Sequence, residues 1–166
     1  MLLDFHKLIK DYSMDITGVI HIGAHHGQEI EEYTKVSSIK HVLGFEAHPD
    51  TFKILQEKVK PFEDKFENFF MVNKGLGPFS CKMDIYEETA NTGQSNSVLQ
   101  PKGHCSQYPH IVFTGKQEIS MEPLDRYEPT EEFNFINIDV QGFELEVFRG
   151  ANRTLAKIDY IMTEVN

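Results

Sequence analysis

Short apolar runs alternate along the chain with segments of helical periodicity, and this pattern predicts an α/β fold. Strands are predicted where apolar residues cluster, at 19–22, 41–46, 66–72, 133–138 and 158–165. Apolar residues three or four positions apart predict helices within residues 1–15, from Gln28 onward, and between Pro49 and Pro61. Strands that alternate with helices favour a mostly parallel sheet with helices on both faces.

The middle of the chain has a different pattern. Residues 80–87 alternate between apolar and polar side chains, which predicts a half-exposed strand, and residues 117–121 predict a return strand. Between them, residues 87–115 are polar and rich in turn-forming residues, so we interpret them as a long substrate or lid loop. His104, Cys105 and His110 lie in this loop, but they lack zinc-site spacing, so no metal site is expected.

Composition narrows the class of protein. The chain has 166 residues, 40% of them hydrophobic, and is expected to form a single domain over residues 1–166. The net charge of −10 disfavours nucleic acid or an anionic membrane as a partner. Cys81 and Cys105 fit no disulfide framework, which favours a reducing compartment. The N-terminus is too polar for a signal peptide and no segment resembles a membrane span, so we expect a cytoplasmic protein.

A glycine turn follows the first predicted strand. The segment from Gly23 to Gly27 can turn tightly and let a ligand approach its backbone, and the helix start near Gln28 would offer unpaired N–H groups. Glu46 lies at the tip of the second strand, about 20 residues after the turn, where a carboxylate can accept hydrogen bonds from ribose hydroxyls. The two features together predict a nucleoside cofactor.

The glycine spacing indicates which cofactor. A dinucleotide site has the pattern G-x-G-x-x-G, whereas this turn has Gly23 and Gly27 with Ala24 where a second glycine would contact phosphate. The turn also contains no lysine or arginine to balance phosphate charge. An uncharged turn suits a zwitterionic amino-acid group better, which favours S-adenosyl-L-methionine.

Two further polar residues follow predicted strands. Asn73 comes directly after the third strand, where it could contact an adenine edge or simply form a turn before Gly75. Asp139 follows the strand that ends at Ile138, and the carboxyl ends of strands are where open α/β sheets bind ligands.

With these motifs in view, the chain resembles the FkbM family of S-adenosylmethionine-dependent methyltransferases. The family motif D-x-G-A-x-x-G corresponds to residues 21–27, and F-E-P-x-P corresponds to residues 45–49. The most specific match is the segment IDVQGFELEVFRGA at 138–151, against K-I-D-V-E-G-x-E-x-x-V-L-x-G-A. Residues 73–77, 95–97 and 121–125 resemble further family elements, and the match covers residues 18–166.

The resemblance implies a Rossmann-like class I methyltransferase that transfers a methyl group to a hydroxyl oxygen of a sugar, glycan or similar small-molecule alcohol. Asp139 is the expected catalytic base, although it could instead bind the ammonium group of the cofactor. His25, His26 and His48 are alternative bases, and Glu144 is expected to orient the helix after Gly142. The expected cofactor-binding residues are Gly23, Ala24, His25, Gly27, Gln28, Glu46, Ala47, Asn73, Lys74, Gly75 and Asp139.

The chain departs from the family pattern in three places. His21 stands where the family usually has an acidic residue, and Asn137 replaces the usual lysine before the signature. The sequence also ends just after the strand that carries Glu164, so the two last strands of a seven-stranded methyltransferase sheet are expected to be missing. An uncovered sheet edge would favour association between copies of the chain.

Two other functions are compatible with the sequence. A methyltransferase fold without catalysis, which keeps a cofactor pocket or only its shape, would fit the missing strands and His21. A dinucleotide-dependent oxidoreductase is the second alternative, and the glycine pattern argues against it.

Overall fold

A computed structural model describes residues 4–88 and 113–163 of the chain. Within these residues the main sheet has five strands, all parallel, in the order β3-β2-β1-β7-β8. Their bounds are Gly18–Ile22 for β1, His41–Phe45 for β2, Asn68–Val72 for β3, Phe135–Ile138 for β7 and Tyr160–Thr163 for β8. The α/β fold with a mostly parallel sheet, predicted from the sequence, is confirmed.

A second, smaller sheet has three strands in the order β4-β6-β5. Both strands predicted in this region are present, and β5 (Cys81–Glu88) pairs antiparallel with β6 (Phe113–Glu122). Strand β4 (Gly75–Leu76) pairs parallel with β6 and was not predicted, because two residues carry no periodicity. The loop predicted at 87–115 is shorter at both ends, because residues 87–88 belong to β5 and residues 113–115 to β6. Residues 89–112 lie outside the described part of the chain.

Five α-helices are described: α1 (Phe5–Tyr12), α2 (Ile30–Thr34), α3 (Pro49–Val59), α4 (Glu144–Arg149) and α5 (Asn152–Leu155). Two 3-10 helices are also described, at Lys60–Lys65 and Leu124–Tyr127. The N-terminal helix and the helix after Pro49 are confirmed. Helix α2 begins at Ile30 rather than at Gln28, because Gly27 has a φ of +73° and Gln28 and Glu29 form a turn instead. With only five residues, α2 is too short to provide the helix N-terminus that the sequence suggested.

The core has two halves, one on each face of the main sheet. On one face, Val19 and Val42 pack against side chains of α1, α2 and α3, among them Phe5, Tyr33 and Leu55. On the other face, residues of β1 and β2 pack against the small sheet and α4; the members include Ile20, Ile22, Leu43, Phe45, Leu76, Ile119, Met121 and Val147. Helices therefore cover both faces, and the small sheet shares one of them.

Strands β3 and β8 lie at the two edges of the main sheet, and within the described ranges each pairs with a single neighbour. Both carry exposed apolar side chains, Phe70 on β3 and Ile161 on β8. Glu164, expected near the tip of β8, lies outside the described residues. Among residues 4–88 and 113–163, no helix is long and apolar enough to cross a membrane.

Candidate functional site

The chain reverses its direction of strand addition at β1. It proceeds from β1 outward to β2 and β3, and then returns to the other side of β1 to form β7 and β8. Such a switch point opens a crevice at the carboxyl ends of the strands, where α/β sheets bind ligands. The polar residues predicted from sequence stand at these ends: Glu46 after β2, Asn73 after β3 and Asp139 after β7.

Glu46 joins the glycine turn to the segment that begins α3. Its Oε2 accepts a hydrogen bond from the backbone N–H of His25 at 2.9 Å, and its Oε1 accepts one from the backbone N–H of His48 at 2.8 Å. The residue is 8% exposed. Burial raises the pKa of the Glu46 carboxyl, and the hydrogen bonds from His48 and His25 oppose that rise. Each carboxylate oxygen has a second acceptor site, so both can still receive a hydroxyl.

The glycine turn is held against β2 by its own backbone. The N–H groups of Gly23 and Ala24 both donate to the carbonyl oxygen of Phe45, at 3.0 and 2.9 Å. Gly23 has a φ of +81°, and a Cβ at this position would lie 2.0 Å from the carbonyl oxygen of Asp139. Glycine is therefore required here because the tips of β1 and β7 meet at this residue.

Gly27 and Ala24 serve packing in this structure. A Cβ on Gly27 would lie 2.7 Å from Val59 Cγ1 and 2.8 Å from Leu55 Cδ1, so the missing side chain makes room for α3. The methyl group of Ala24 is fully buried on the same face of the sheet. Any contact that these residues make with a ligand must come from the backbone.

The two histidines of the turn lie side by side, with ring centroids 3.8 Å apart. His25 adopts a φ of +46°, and its Nδ1 lies 3.4 Å from the side-chain nitrogen of Gln28, which is exposed. His48 has a different place: its ring is 7% exposed, and Nδ1 accepts from the N–H of Thr51 at 3.4 Å as the cap of α3. That contact gives His48 a structural role at the start of the helix.

Asn73 links the tips of β2 and β3. Its Nδ2 donates to the carbonyl oxygens of Glu46 at 2.8 Å and Ala47 at 3.2 Å. The next residue, Lys74, lies with Nζ 3.5 Å from Glu122 Oε1, and Gly75 is buried in β4 against Met121. Of the three residues predicted after the third strand, Asn73 and Lys74 therefore lie at the tip of β3, and Gly75 belongs to the small sheet.

Asp139 is exposed at the tip of β7, directly beside Gly23. Its backbone N–H donates to the carbonyl oxygen of Ile22 at 3.0 Å, and its Oδ1 accepts from Gln141 Nε2 at 2.7 Å. The turn that follows is held by Glu144, whose Oε1 accepts from the N–H groups of Val140 at 3.1 Å and Gly142 at 3.2 Å. Glu144 was expected to orient the helix after Gly142, and its carboxylate instead holds the turn that precedes this helix.

Beneath the turn, the structure brings together three buried polar side chains that the sequence did not identify as a group: His21, Tyr33 and Asn137. His21 and Asn137 are partners in the register of β1 and β7, and both depart from the family pattern. That shared register was the signal from which their contact could have been inferred.

Residues 21–166 match the family model described as the methyltransferase FkbM domain. The chain belongs to the FkbM methyltransferase family. A curated relative from Sinorhizobium fredii (strain NBRC 101917 / NGR234), named 2-O-methyltransferase NoeI, is 25% identical over 154 residues; these cover 88% of the chain and 62% of that relative. The chain thus spans less than two thirds of the relative it matches. No solved structure matches it significantly.

Proposed function

We propose that this FkbM chain is an S-adenosylmethionine-dependent O-methyltransferase that acts on a hydroxyl group of a sugar, a glycan or a similar small-molecule alcohol. The observation that carries the proposal is the hydrogen bond between Glu46 and the backbone of His25, because it places a buried carboxylate against a glycine turn at the switch point of the sheet. The family match supports methyl transfer as the reaction class.

The residues at the strand tips suit the chemistry of this cofactor. Glu46 offers acceptor sites for the two ribose hydroxyls, and Asp139 offers an exposed carboxylate on the other side of Gly23 for a cationic amino-acid group or an acceptor hydroxyl. Asn73 and Lys74 border the end of the crevice that we assign to adenine. No cationic side chain stands in the glycine turn itself, which favours a ligand without phosphate.

When bound, S-adenosylmethionine supplies a methyl group already activated on a sulfonium, so the protein has mainly to align the acceptor and exclude water. An alcohol is a weak nucleophile, and a base within hydrogen-bond reach assists as its proton leaves. We assign that proton to a carboxylate oxygen of Asp139. Gln141 would hold the Asp139 side chain in its orientation through the hydrogen bond that it donates to Oδ1.

The class of acceptor is supported by the relative from Sinorhizobium fredii, whose name specifies 2-O-methyl transfer. The net charge of −10 also favours a neutral acceptor over nucleic acid or an anionic membrane surface. The scarcity of cysteine supports a cytoplasmic location as part of the proposal.

An assay of the purified chain tests the proposal. Incubation with S-adenosylmethionine and a panel of free sugars and oligosaccharides is expected to release S-adenosylhomocysteine with at least one acceptor, and mass spectrometry is expected to find a product heavier by one methyl group. Binding of S-adenosylhomocysteine without turnover on any acceptor would favour the non-catalytic alternative. Absence of binding would overturn the proposal.

A further inference from the structure

We propose that the buried side chains of His21, Tyr33 and Asn137, which we name the His21 trio, fix the distance between the glycine turn and Asp139. They are then positioning residues for methyl transfer, an inference that rests on the proposed function. None of the three has to touch the cofactor or the acceptor for this role.

The trio connects three elements through side-chain contacts alone. Asn137 Nδ2, on β7, donates to the hydroxyl of Tyr33, on α2, at 2.8 Å. The same hydroxyl lies 3.3 Å from Nδ1 of His21, on β1, and Nε2 of His21 lies 3.4 Å from Asn137 Nδ2. Each member contacts both others, so the arrangement closes a triangle between two neighbouring strands and the helix above them.

Because the three side chains are buried, each depends on the other two for its hydrogen bonds. His21 is 3% exposed, Tyr33 is fully buried and Asn137 is 8% exposed, so water is poorly placed to substitute for a lost partner. An unsatisfied buried donor or acceptor is costly, which means that each member holds the other two in place. The ring of Tyr33 is itself fixed by an edge-on contact with Phe5 of α1, at 5.3 Å between centroids.

The trio lies one layer below the candidate site. His21 precedes Gly23 by two residues on β1, and Asn137 precedes Asp139 by two residues on β7. Tyr33 belongs to the helix into which the glycine turn leads. β1, β7 and α2 are therefore tied together two residues before Gly23 and Asp139, which we assign to the cofactor and the acceptor.

The charge state of His21 is part of this arrangement. Burial lowers the pKa of the imidazole, and the negative charges of Glu29 on the turn and of Asp139 after β7 oppose that shift. Burial also raises the pKa of the Tyr33 hydroxyl, so this group stays protonated. With the amide placed as it is, Asn137 donates toward both partners, and a neutral imidazole can accept at Nε2.

The test compares Tyr33→Phe, which removes the shared hydroxyl and keeps the ring, with Thr154→Val as the matched control. Thr154 also has a buried hydroxyl in a hydrogen bond, to Asp125 at 2.8 Å, but it lies on α5. We expect Tyr33→Phe to weaken binding of S-adenosylhomocysteine by about three- to tenfold and to shift the backbone amide resonances of Gly23 and Asp139. Thr154→Val should lower the unfolding midpoint and change neither quantity.

A third variant, Asn137→Asp, gives a pH-dependent result that loss of stability alone would not produce. A carboxylate beside His21 should raise the pKa of the imidazole, so the pH midpoint at which the His21 ring resonances titrate should move upward by about one unit or more. Glu29 and Asp139 are unchanged in this variant, which leaves the other charges near His21 as they are.

Two results would overturn the positioning role: unchanged Gly23 and Asp139 resonances in Tyr33→Phe, or a titration midpoint of the His21 ring that does not move in Asn137→Asp. If the unmodified chain binds no S-adenosylhomocysteine, the proposed function fails instead. The ligand-free chain then tests the positioning role by itself. A chemical-shift change of the Gly23 and Asp139 amides in Tyr33→Phe supports the role, and unchanged shifts overturn it.

Discussion

The carboxylate of Glu46 accepts a hydrogen bond from the backbone N–H of His25, across 21 positions of sequence and 2.9 Å of space. Through this bond the tip of β2 and the turn after β1 form one unit, and the second carboxylate oxygen extends it to the start of α3 through His48. A single side chain thus orders the backbone around the crevice and presents the acceptor atoms to which we assign the ribose.

Replacing Glu46 by alanine should therefore weaken S-adenosylhomocysteine binding at least tenfold, about 1.4 kcal/mol, as measured by calorimetry. Asp125→Ala is the matched control, because Asp125 likewise accepts from two backbone N–H groups, those of Arg153 and Thr154, but at α5. Both variants should lose stability. Equal affinities in the two would remove Glu46 from the cofactor site.

For Asp139→Asn we expect the fold to be retained, since the amide oxygen can still accept from Gln141. Turnover should fall by about a hundredfold or more if Asp139 is the base, with the affinity for S-adenosylhomocysteine unchanged. A rise in the dissociation constant instead would assign Asp139 to the ammonium group of the cofactor. The control is Glu146→Gln on α4, whose side chain pairs only with Arg149 in the described contacts. Full activity in Asp139→Asn would exclude both roles.

Gly23→Ala should separate the tips of β1 and β7. The new Cβ would lie 2.0 Å from the carbonyl oxygen of Asp139, in a backbone conformation with positive φ. We expect a loss of about 1–3 kcal/mol in urea unfolding together with loss of cofactor binding. A Cβ on Gly77 would lie 3.3 Å from the flexible end of Met121 and 3.6 Å from Phe143 Cε1, so Gly77→Ala should cost less and leave binding intact. An alanine at 23 with unchanged affinity would show that the two tips need not meet.

The elements that form this crevice were predicted from the sequence to different extents. The strands of the main sheet were identified because each contains a run of apolar residues, and Glu46 because its distance from the glycine turn is dictated by one crossover helix. The assignment of Gly27 to the cofactor stays a prediction, but the sequence did not show that its missing side chain makes room for Leu55 and Val59. That packing joins residues about 30 positions apart, and spacing along the chain carries no information about it. The same limit applies to Tyr33, because the hydroxyl contacts one strand that precedes it in the sequence, β1, and one that follows it, β7.

Acid should destabilise the chain partly through Asp125. Burial tends to raise the pKa of this carboxyl, but hydrogen bonds from Arg153 and Thr154 outweigh it, and the pKa lies below the ordinary 3.8. A depressed pKa contributes stability that is present above the unfolded value and is lost as pH falls through the folded value. The free energy of unfolding should therefore decline below about pH 4, and less steeply in Asp125→Asn. Identical slopes for the two chains would contradict this assignment.

Association between copies should depend on the edge at β8. Ile161 is 47% exposed on this strand, which pairs only with β7 among the described residues. If copies associate there, light scattering should find a dimer for the unmodified chain and a monomer for Ile161→Lys. Tyr12→Lys, at a residue 74% exposed on α1, is the control and should leave the mass unchanged. A monomer at all concentrations for the unmodified chain would reject the interface.

A crystal structure of the chain with S-adenosylhomocysteine would show directly whether Glu46 holds the ribose. We expect both ribose hydroxyls within hydrogen-bond distance of the Glu46 carboxylate, with the amino-acid end between Gly23 and Asp139. A ligand bound elsewhere, or a Glu46 side chain whose contacts remain those to His25 and His48 alone, would contradict this expectation.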